Sequence, residues 1–175
     1  MDAKWIIAQI IGLLGTGCML ASFQSKENKG YFLLQFSYNV LYIVHYILLG
    51  ALSGSLTVIL SLVRNGLLLM GDRKWARWNG WVVLLVLASI YAVVISWDNI
   101  FSIFPAIAMI SMTIANWTMN GKTIRLCNLY VGSPAWLIYN IRYFSISGII
   151  AETLSIISII ISIKRFGLDN LHNKE

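Results

Sequence analysis

The sequence has little charge and is poor in proline, cysteine and histidine. Charged residues make up 11% of its 175 residues and hydrophobic residues 58%, whereas a soluble globular domain carries about 25% charged residues. This composition excludes an ordinary soluble domain and indicates a polytopic membrane protein. The two cysteines, Cys18 and Cys127, lie in apolar segments and form no C-x-x-C pair, so we interpret them as packing residues.

Residue patterns typical of enzymes are also missing. The sequence has no G-x-x-x-x-G-K-[ST] loop, no His, Cys, Asp and Glu grouping at metal-ligand spacing, and no Ser/His/Asp arrangement. Of the two histidines, we interpret His45 as a helix-contact residue, and His172 lies in a polar tail. We therefore predict no enzymatic activity, no cofactor and no metal. We assign the net charge of +6 to membrane topology and not to nucleic-acid binding.

Long apolar runs dominate what is present. A transmembrane helix needs about 20 apolar residues, and the sequence contains seven such runs between short polar connections. We therefore predict an all-α polytopic membrane protein, a single domain over 1–175 that has the lipid bilayer as its partner. The predicted transmembrane helices are 5–23, 31–49, 53–70, 79–96, 100–118, 126–144 and 147–163.

Positive charge is distributed unevenly between the connections. Lys4 and Arg142 fall on one side of the predicted membrane, and the other 11 of the 13 Lys and Arg residues, including Arg64, fall on the opposite side. Cytoplasmic loops carry the excess of Lys and Arg. We therefore predict an outer N-terminus and a cytoplasmic tail at 164–175.

The two ends of the chain resemble each other at an offset of 94 residues (147 − 53). At this offset Ser53-Gly54 aligns with Ser147-Gly148. We interpret 5–70 and 100–163 as three-helix repeats and 79–96 as a linker helix, with chance similarity between apolar segments as the alternative. Because a single helix separates the repeats, both start on the same side of the membrane. This predicts a parallel 3+1+3 architecture, and internal repeats are a signature of transporters.

Three stretches resemble the YgjV family of bacterial inner-membrane proteins. They are "SFQSKENKGYFLLQFSYNVLYIVHYILLGALSG" from residue 22, "LVRN" at 62–65, and "SPAWLIYNIRYFSISGIIAETLSIISIIIS" from residue 133. The repeat plan is more distantly similar to SWEET, SemiSWEET, PQ-loop and PnuC-type transporters. The resemblance implies a SWEET-like fold and a bacterial inner-membrane location, but no substrate. The sequence departs from these transporters in having Phe23-Gln24 in place of the PQ dipeptide and no proline in the first repeat.

Polar and aromatic side chains recur at helical spacing, with Gln35, Asn39 and Tyr42 in the second predicted helix and Trp136 and Asn140 in the sixth. Polar groups at membrane depth face protein or a water-filled cavity, so we predict a central pocket. The resemblance to SWEET-type transporters implies that Trp136 takes the place of their pocket aromatic, with Tyr42 as its partner. Core packing and interhelical hydrogen bonding stay alternatives. The predicted substrate-binding residues are Gln35, Asn39, Tyr42, Asn65, Trp136, Asn140 and Glu152.

Glu152 is the only carboxylate within a predicted transmembrane helix. We predict that it is either protonated and available for proton coupling, or paired with Arg142 as an outer gate or structural ion pair. Asn140 on the preceding helix has a similar predicted depth. Arg142 lies closer to the surface, where its long stem can also extend to the lipid headgroups.

These patterns favour a transporter or facilitator of a small polar solute. An aromatic and amide pocket suits sugar-like or nucleoside- and vitamin-like solutes, since rings stack on Trp and amides bind hydroxyls. The alternative is a non-transporting membrane protein, an assembly or regulatory factor that retains a SWEET-like fold. Assembly as a homo-oligomer is left open.

Overall fold

The computed structural model describes residues 3–25 and 28–166, and within them it contains helices and turns but no β-strand. Lys26 and residues 167–175, which include His172 and most of the predicted tail, lie outside the described residues. A 3-10 turn at Ile100–Ser102 precedes α5, and a π-helical segment at Asn128–Gly132 joins α6 to α7. The α-helices are α1 (Ala3–Gln24), α2 (Asn28–Leu49), α3 (Leu52–Leu69), α4 (Gly80–Ile95), α5 (Ile103–Trp117), α6 (Gly121–Cys127), α7 (Ser133–Arg142) and α8 (Ile146–Phe166).

The helices carry their apolar side chains on the outside. Leu14, Ile47 and Val94 are among the large hydrophobic residues that are exposed, while Asn39 and Asn65 are buried. This is the distribution that lipid requires, because the bilayer solvates apolar groups and not polar ones. Two shorter helical segments, Gly80–Ile95 and Ile146–Ile161, are also apolar. Four segments are long and apolar enough to cross a membrane: Ala3–Ser22, Lys29–Leu49, Leu52–Leu69 and Ile100–Trp117.

Each of the seven apolar runs is helical, but the sixth is not a regular α-helix. It consists of α6, the π-helical segment and α7, with Pro134 in the first turn of α7. Proline lacks an N–H and its ring crowds the preceding turn. A π-helical segment absorbs this disruption by inserting one extra residue into the helix.

Six of the helices form a closed ring of neighbours. Following the contacts around the ring, α1 packs against α2, α2 against α3, α3 against α5, α5 against α7, α7 against α8, and α8 against α1. The α4 helix packs against α3 and α5. The inner faces of the ring therefore come from six different helices, and any space between them is enclosed on all sides.

A tight turn at Gly50 fixes the register between α2 and α3. Gly50 has φ +72°, a conformation that is costly for other residues, and the Ala51 amide donates to the Tyr46 carbonyl at 3.0 Å. As a result, the start of α3 with Ser53 and Gly54 lies beside the end of α2.

Candidate functional site

A cavity of about 60 Å³ lies inside the ring. Every helix of the ring contributes to its wall, and most of the contributing side chains are polar or aromatic. Four of the predicted substrate-binding residues, Gln35, Asn39, Trp136 and Glu152, are among them. The remaining lining residues are Met19, Tyr31, Tyr38, Val58, Ser61, Arg64, Ala108, Met109, Met112, Asn116 and Asn128.

Glu152 is the carboxyl group of this wall. Its side chain is 4% exposed, and it lies six residues into α8, about 9 Å from the helix start at 1.5 Å per residue. Ser133 is the neighbouring hydrogen-bonding side chain, and its Oγ lies 3.3 Å from the Ser155 Oγ. Glu152 is therefore a carboxyl group with polar surroundings at membrane depth.

The structure does not bring Arg142 to Glu152. Arg142 is exposed at the end of α7, and its guanidinium carbon lies 5.6 Å from the centroid of the Tyr143 ring. The Tyr143 hydroxyl in turn donates to the Asp98 Oδ2 at 2.9 Å. The long stem of an arginine lets its charge reach the surface from a helix end. Arg142 therefore needs no ion pair with Glu152.

Two amide side chains in the wall have unsatisfied polar atoms. Asn39 is 2% exposed and Asn116 is 1% exposed, yet the Asn39 Nδ2 and the Asn116 Oδ1 have no hydrogen-bond partner among the described residues. The neighbouring Gln35 is satisfied, since its Nε2 donates to the Ser22 Oγ at 2.9 Å. Buried polar groups are nearly always hydrogen-bonded, so unpaired amides beside a cavity point to an occupant such as water or a polar solute.

Arg64 is a wall residue that sequence reasoning missed, because it was counted with the loop cations. It is 6% exposed; its Nε donates to the Asn65 Oδ1 at 3.1 Å, and its Nη1 contacts the Met109 Sδ at 3.6 Å. The position of Arg64 three residues after the buried Ser61, on the inner face of α3, was the available signal. Asn65 was predicted as a substrate-binding residue. In the structure it accepts the hydrogen bond from Arg64 and does not line the cavity.

A hydrogen-bonded layer, hereafter the tyrosine layer, fills the ring on the side of the Gly50 turn. The Tyr46 hydroxyl donates to the Asn140 Oδ1 at 2.8 Å, and the Tyr139 hydroxyl accepts from the Gly54 amide at 2.8 Å. The Tyr42 hydroxyl pairs with the Thr16 hydroxyl at 3.0 Å. The predicted site residues Tyr42 and Asn140 therefore belong to this closed layer and not to the cavity wall.

His45 extends the tyrosine layer to the remaining helices. Its Nδ1 lies 2.7 Å from the Ala8 carbonyl, which only accepts, so Nδ1 carries the proton. Its Nε2 then accepts from the Ser145 hydroxyl at 2.8 Å. The imidazole thus joins α1, α2 and the turn before α8, in agreement with the contact role inferred from the sequence.

The outward apolar surface and the buried polar interior define a multi-pass integral membrane protein. Residues 6–170 match the model of the Imp-YgjV family, described as a bacterial inner membrane protein. The chain belongs to this family, which confirms that part of the resemblance and the inner-membrane location. No curated protein and no solved structure matches the chain.

Proposed function

We propose that the protein is a transporter or facilitator of a small polar solute, which binds in the cavity. The observation that carries this proposal is the cavity wall: it combines unpaired Asn39 and Asn116 amides with the aromatic Trp136 at membrane depth. Polar groups are costly in the membrane interior. A purely structural bundle would gain stability by pairing or replacing them.

The proposed architecture is seven spans in a parallel 3+1+3 arrangement, with the N-terminus outside. Two contacts support this arrangement, because the offset of 94 residues relates the two residues of one contact to the two residues of the other. The Ser53 Oγ lies 2.9 Å from the Tyr139 hydroxyl, and the Ser147 Oγ lies 3.5 Å from the His45 Nε2. Ser147 is the counterpart of Ser53, and Tyr139 is the counterpart of His45. Reciprocal contacts of this kind are expected between halves related by a pseudo-twofold axis.

The proposed conformation is closed on the outer side. The tyrosine layer blocks the ring near the Gly50 turn, while the cavity extends from Glu152 toward the opposite helix ends, where Tyr31 and Arg64 lie. In the proposed orientation these ends face the cytoplasm. Alternating access then requires the tyrosine layer to open and the far ends to close.

The size of the cavity limits what it holds in this conformation. A volume of 60 Å³ is below the roughly 150 Å³ of a protein cavity that binds benzene. A sugar-like or nucleoside-like ring therefore needs the helices to separate first. The small volume and the continuous tyrosine layer are also the observations that favour the second candidate, a non-transporting assembly or regulatory factor.

A ligand screen with a matched variant tests the proposal. Purified protein is heated with sugars, nucleosides, vitamins and small organic acids, and saturable stabilisation identifies a ligand class. Loss of the aromatic platform in Trp136→Ala should weaken that ligand by about 1–3 kcal/mol. Trp97→Ala, which removes an exposed tryptophan, serves as the control. Absence of any stabilising solute, and of uptake into liposomes, would favour the non-transporting candidate.

A further inference from the structure

Arg64 is a buried cation for which the described part of the chain shows no carboxylate partner. It is 6% exposed, and its two hydrogen-bond acceptors among the described residues, the Asn65 Oδ1 and the Met109 Sδ, are both uncharged. A guanidinium has five N–H donors, and sulfur is a weak acceptor. Buried charges are normally paired, because an unpaired charge in a protein interior costs several kcal/mol. The counter-charge of Arg64 is thus missing from the surrounding side chains.

The carboxyl group that lines the cavity, Glu152, lies at another depth than Arg64. Arg64 is 12 residues into α3 and Glu152 is six residues into α8, which separates them by about 9 Å along helices that begin on the same side. No ion pair joins the two residues. Glu152 therefore lies toward the tyrosine layer, and Arg64 lies toward the opposite end of the cavity.

The surroundings of Arg64 add positive charge. Arg125 in α6 and Arg64 in α3 both lie within electrostatic range of the Tyr31 hydroxyl. Within the described part of the chain, the Nη1 of Arg125 donates to the Gly121 carbonyl at 3.2 Å, and its Nε has no partner. Two arginines for which the described residues show no acidic partner thus lie toward the same end of the bundle, and their positive charge attracts anions.

We propose that Arg64 is the anion-binding residue of the cavity and that the solute carries a carboxylate group. A guanidinium matches a carboxylate with two parallel hydrogen bonds, and Arg64 lines the cavity beside the amides of Asn39 and Asn116. A volume of about 60 Å³ accommodates an anion of a few heavy atoms. This inference deepens the proposed function, because it names the substrate class of the same cavity.

Binding in uncharged detergent provides the first test. Acetate should raise the unfolding temperature saturably, while acetamide, which has the same shape without charge, and chloride at equal ionic strength should not. Arg64→Gln should weaken acetate binding about tenfold or more, as expected for losing hydrogen bonds to a charged group. Arg64→Lys should restore part of it, because it retains the charge and loses the fork. Arg73→Gln removes an exposed loop cation and should bind like wild type.

Several results would overturn the inference. Equal stabilisation by acetate and acetamide would do so, as would wild-type acetate affinity in Arg64→Gln. If Arg64→Gln does not fold, Arg64→Lys decides. A wild-type affinity for acetate in Arg64→Lys would contradict recognition of the carboxylate by two parallel hydrogen bonds from the guanidinium. Uptake of labelled acetate into liposomes of uncharged lipid separates the two proposals. If acetate binds but is not taken up, the anion site stands and transport is refuted. If the wild type takes up only neutral solutes, and Arg64→Gln takes them up at the same rate, transport stands and the anion site is refuted.

Discussion

At the scale of single residues, the buried hydroxyl groups that the structure describes have hydrogen-bond partners, whereas several buried amide groups have an unpaired atom. In the tyrosine layer, Tyr46 and Tyr139 each contact a polar partner on a different helix. Around the cavity, Asn39, Asn116 and Arg64 retain unused hydrogen-bonding capacity. The first group joins the helices, and the second supports the proposed solute site.

The Tyr46 hydroxyl should be important for stability. Tyr46→Phe leaves the Asn140 Oδ1 without its donor, and the Asn140 Nδ2 already has no partner. We expect a loss of about 1–3 kcal/mol, the cost of an unsatisfied buried polar group, measured by thermal or denaturant unfolding in detergent. Tyr91→Phe on the lipid side of α4, where the side chain is 66% exposed, should change stability little. Equal stability of both variants would mean that the layer contributes nothing to holding the helices together.

Glu152 should make activity depend on pH. Glu152→Gln retains the shape of the side chain but cannot ionise, so we expect solute uptake into liposomes, measured from pH 5 to 8, to lose the pH dependence of the wild type. Asp98→Asn, an exposed acid in the turn before α5, should retain it. If Glu152→Gln matched wild type at every pH while Glu152→Ala only lost stability, Glu152 would be a structural residue.

At the scale of helices, close approach depends on small residues. A Cβ built on Gly54 in α3 would lie 2.7 Å from the Tyr139 Cε1, whereas one built on Gly17 in α1 would have no neighbour within 4 Å. Small residues at helix interfaces let membrane helices pack closely. The contact of α3 with the Tyr139 ring therefore requires glycine at position 54 in particular.

Two glycine substitutions test this packing. Gly54→Ala should destabilise the protein by about 1–3 kcal/mol, the usual cost of overpacking. Gly17→Ala should be neutral or stabilise it by up to about 1 kcal/mol, since alanine is the better helix former. Unfolding of both variants in the same detergent gives the comparison. A Gly54→Ala protein as stable as wild type would show that α3 and α7 are free to move apart.

Helices were predictable from the sequence, and the interior was predictable only in part. Apolar runs of about 20 residues define the spans directly. Helical spacing put Asn39 and Asn140 on inner faces, but spacing does not say whether two facing polar groups meet, as Tyr46 and Asn140 do, or leave a gap, as at Asn39. The π-helical segment before Pro134 was not predicted, because one inserted residue does not alter apolar content. Arg64 was not predicted to line the cavity, because a cation near a helix end also fits the excess of Lys and Arg that marks cytoplasmic loops.

At the scale of the whole molecule, topology is the open prediction. The sequence predicts 11 of 13 cations on one side of the membrane, Arg64 included, so reporter fusions at Lys74 and at the C-terminus should read cytoplasmic, and a fusion in the turn at Asp98 should not. An intact fusion to full-length protein that retains the Trp136-dependent ligand response is the control. An even number of spans between the termini would contradict both the orientation and the parallel repeats.

The depth of Arg64 also has an electrical consequence. Arg64 lies five residues before the end of the 18-residue α3 helix, so an anion that enters from that end crosses roughly 0.3 of the membrane's thickness before it binds. A full crossing is worth about 2.3 kcal/mol per elementary charge at 100 mV, and this entry step would therefore carry only about 0.7 kcal/mol. Most of the voltage falls across the remaining depth, including the tyrosine layer. Membrane potential would thus act mainly on the passage of the anion across that layer and hardly on its binding at Arg64.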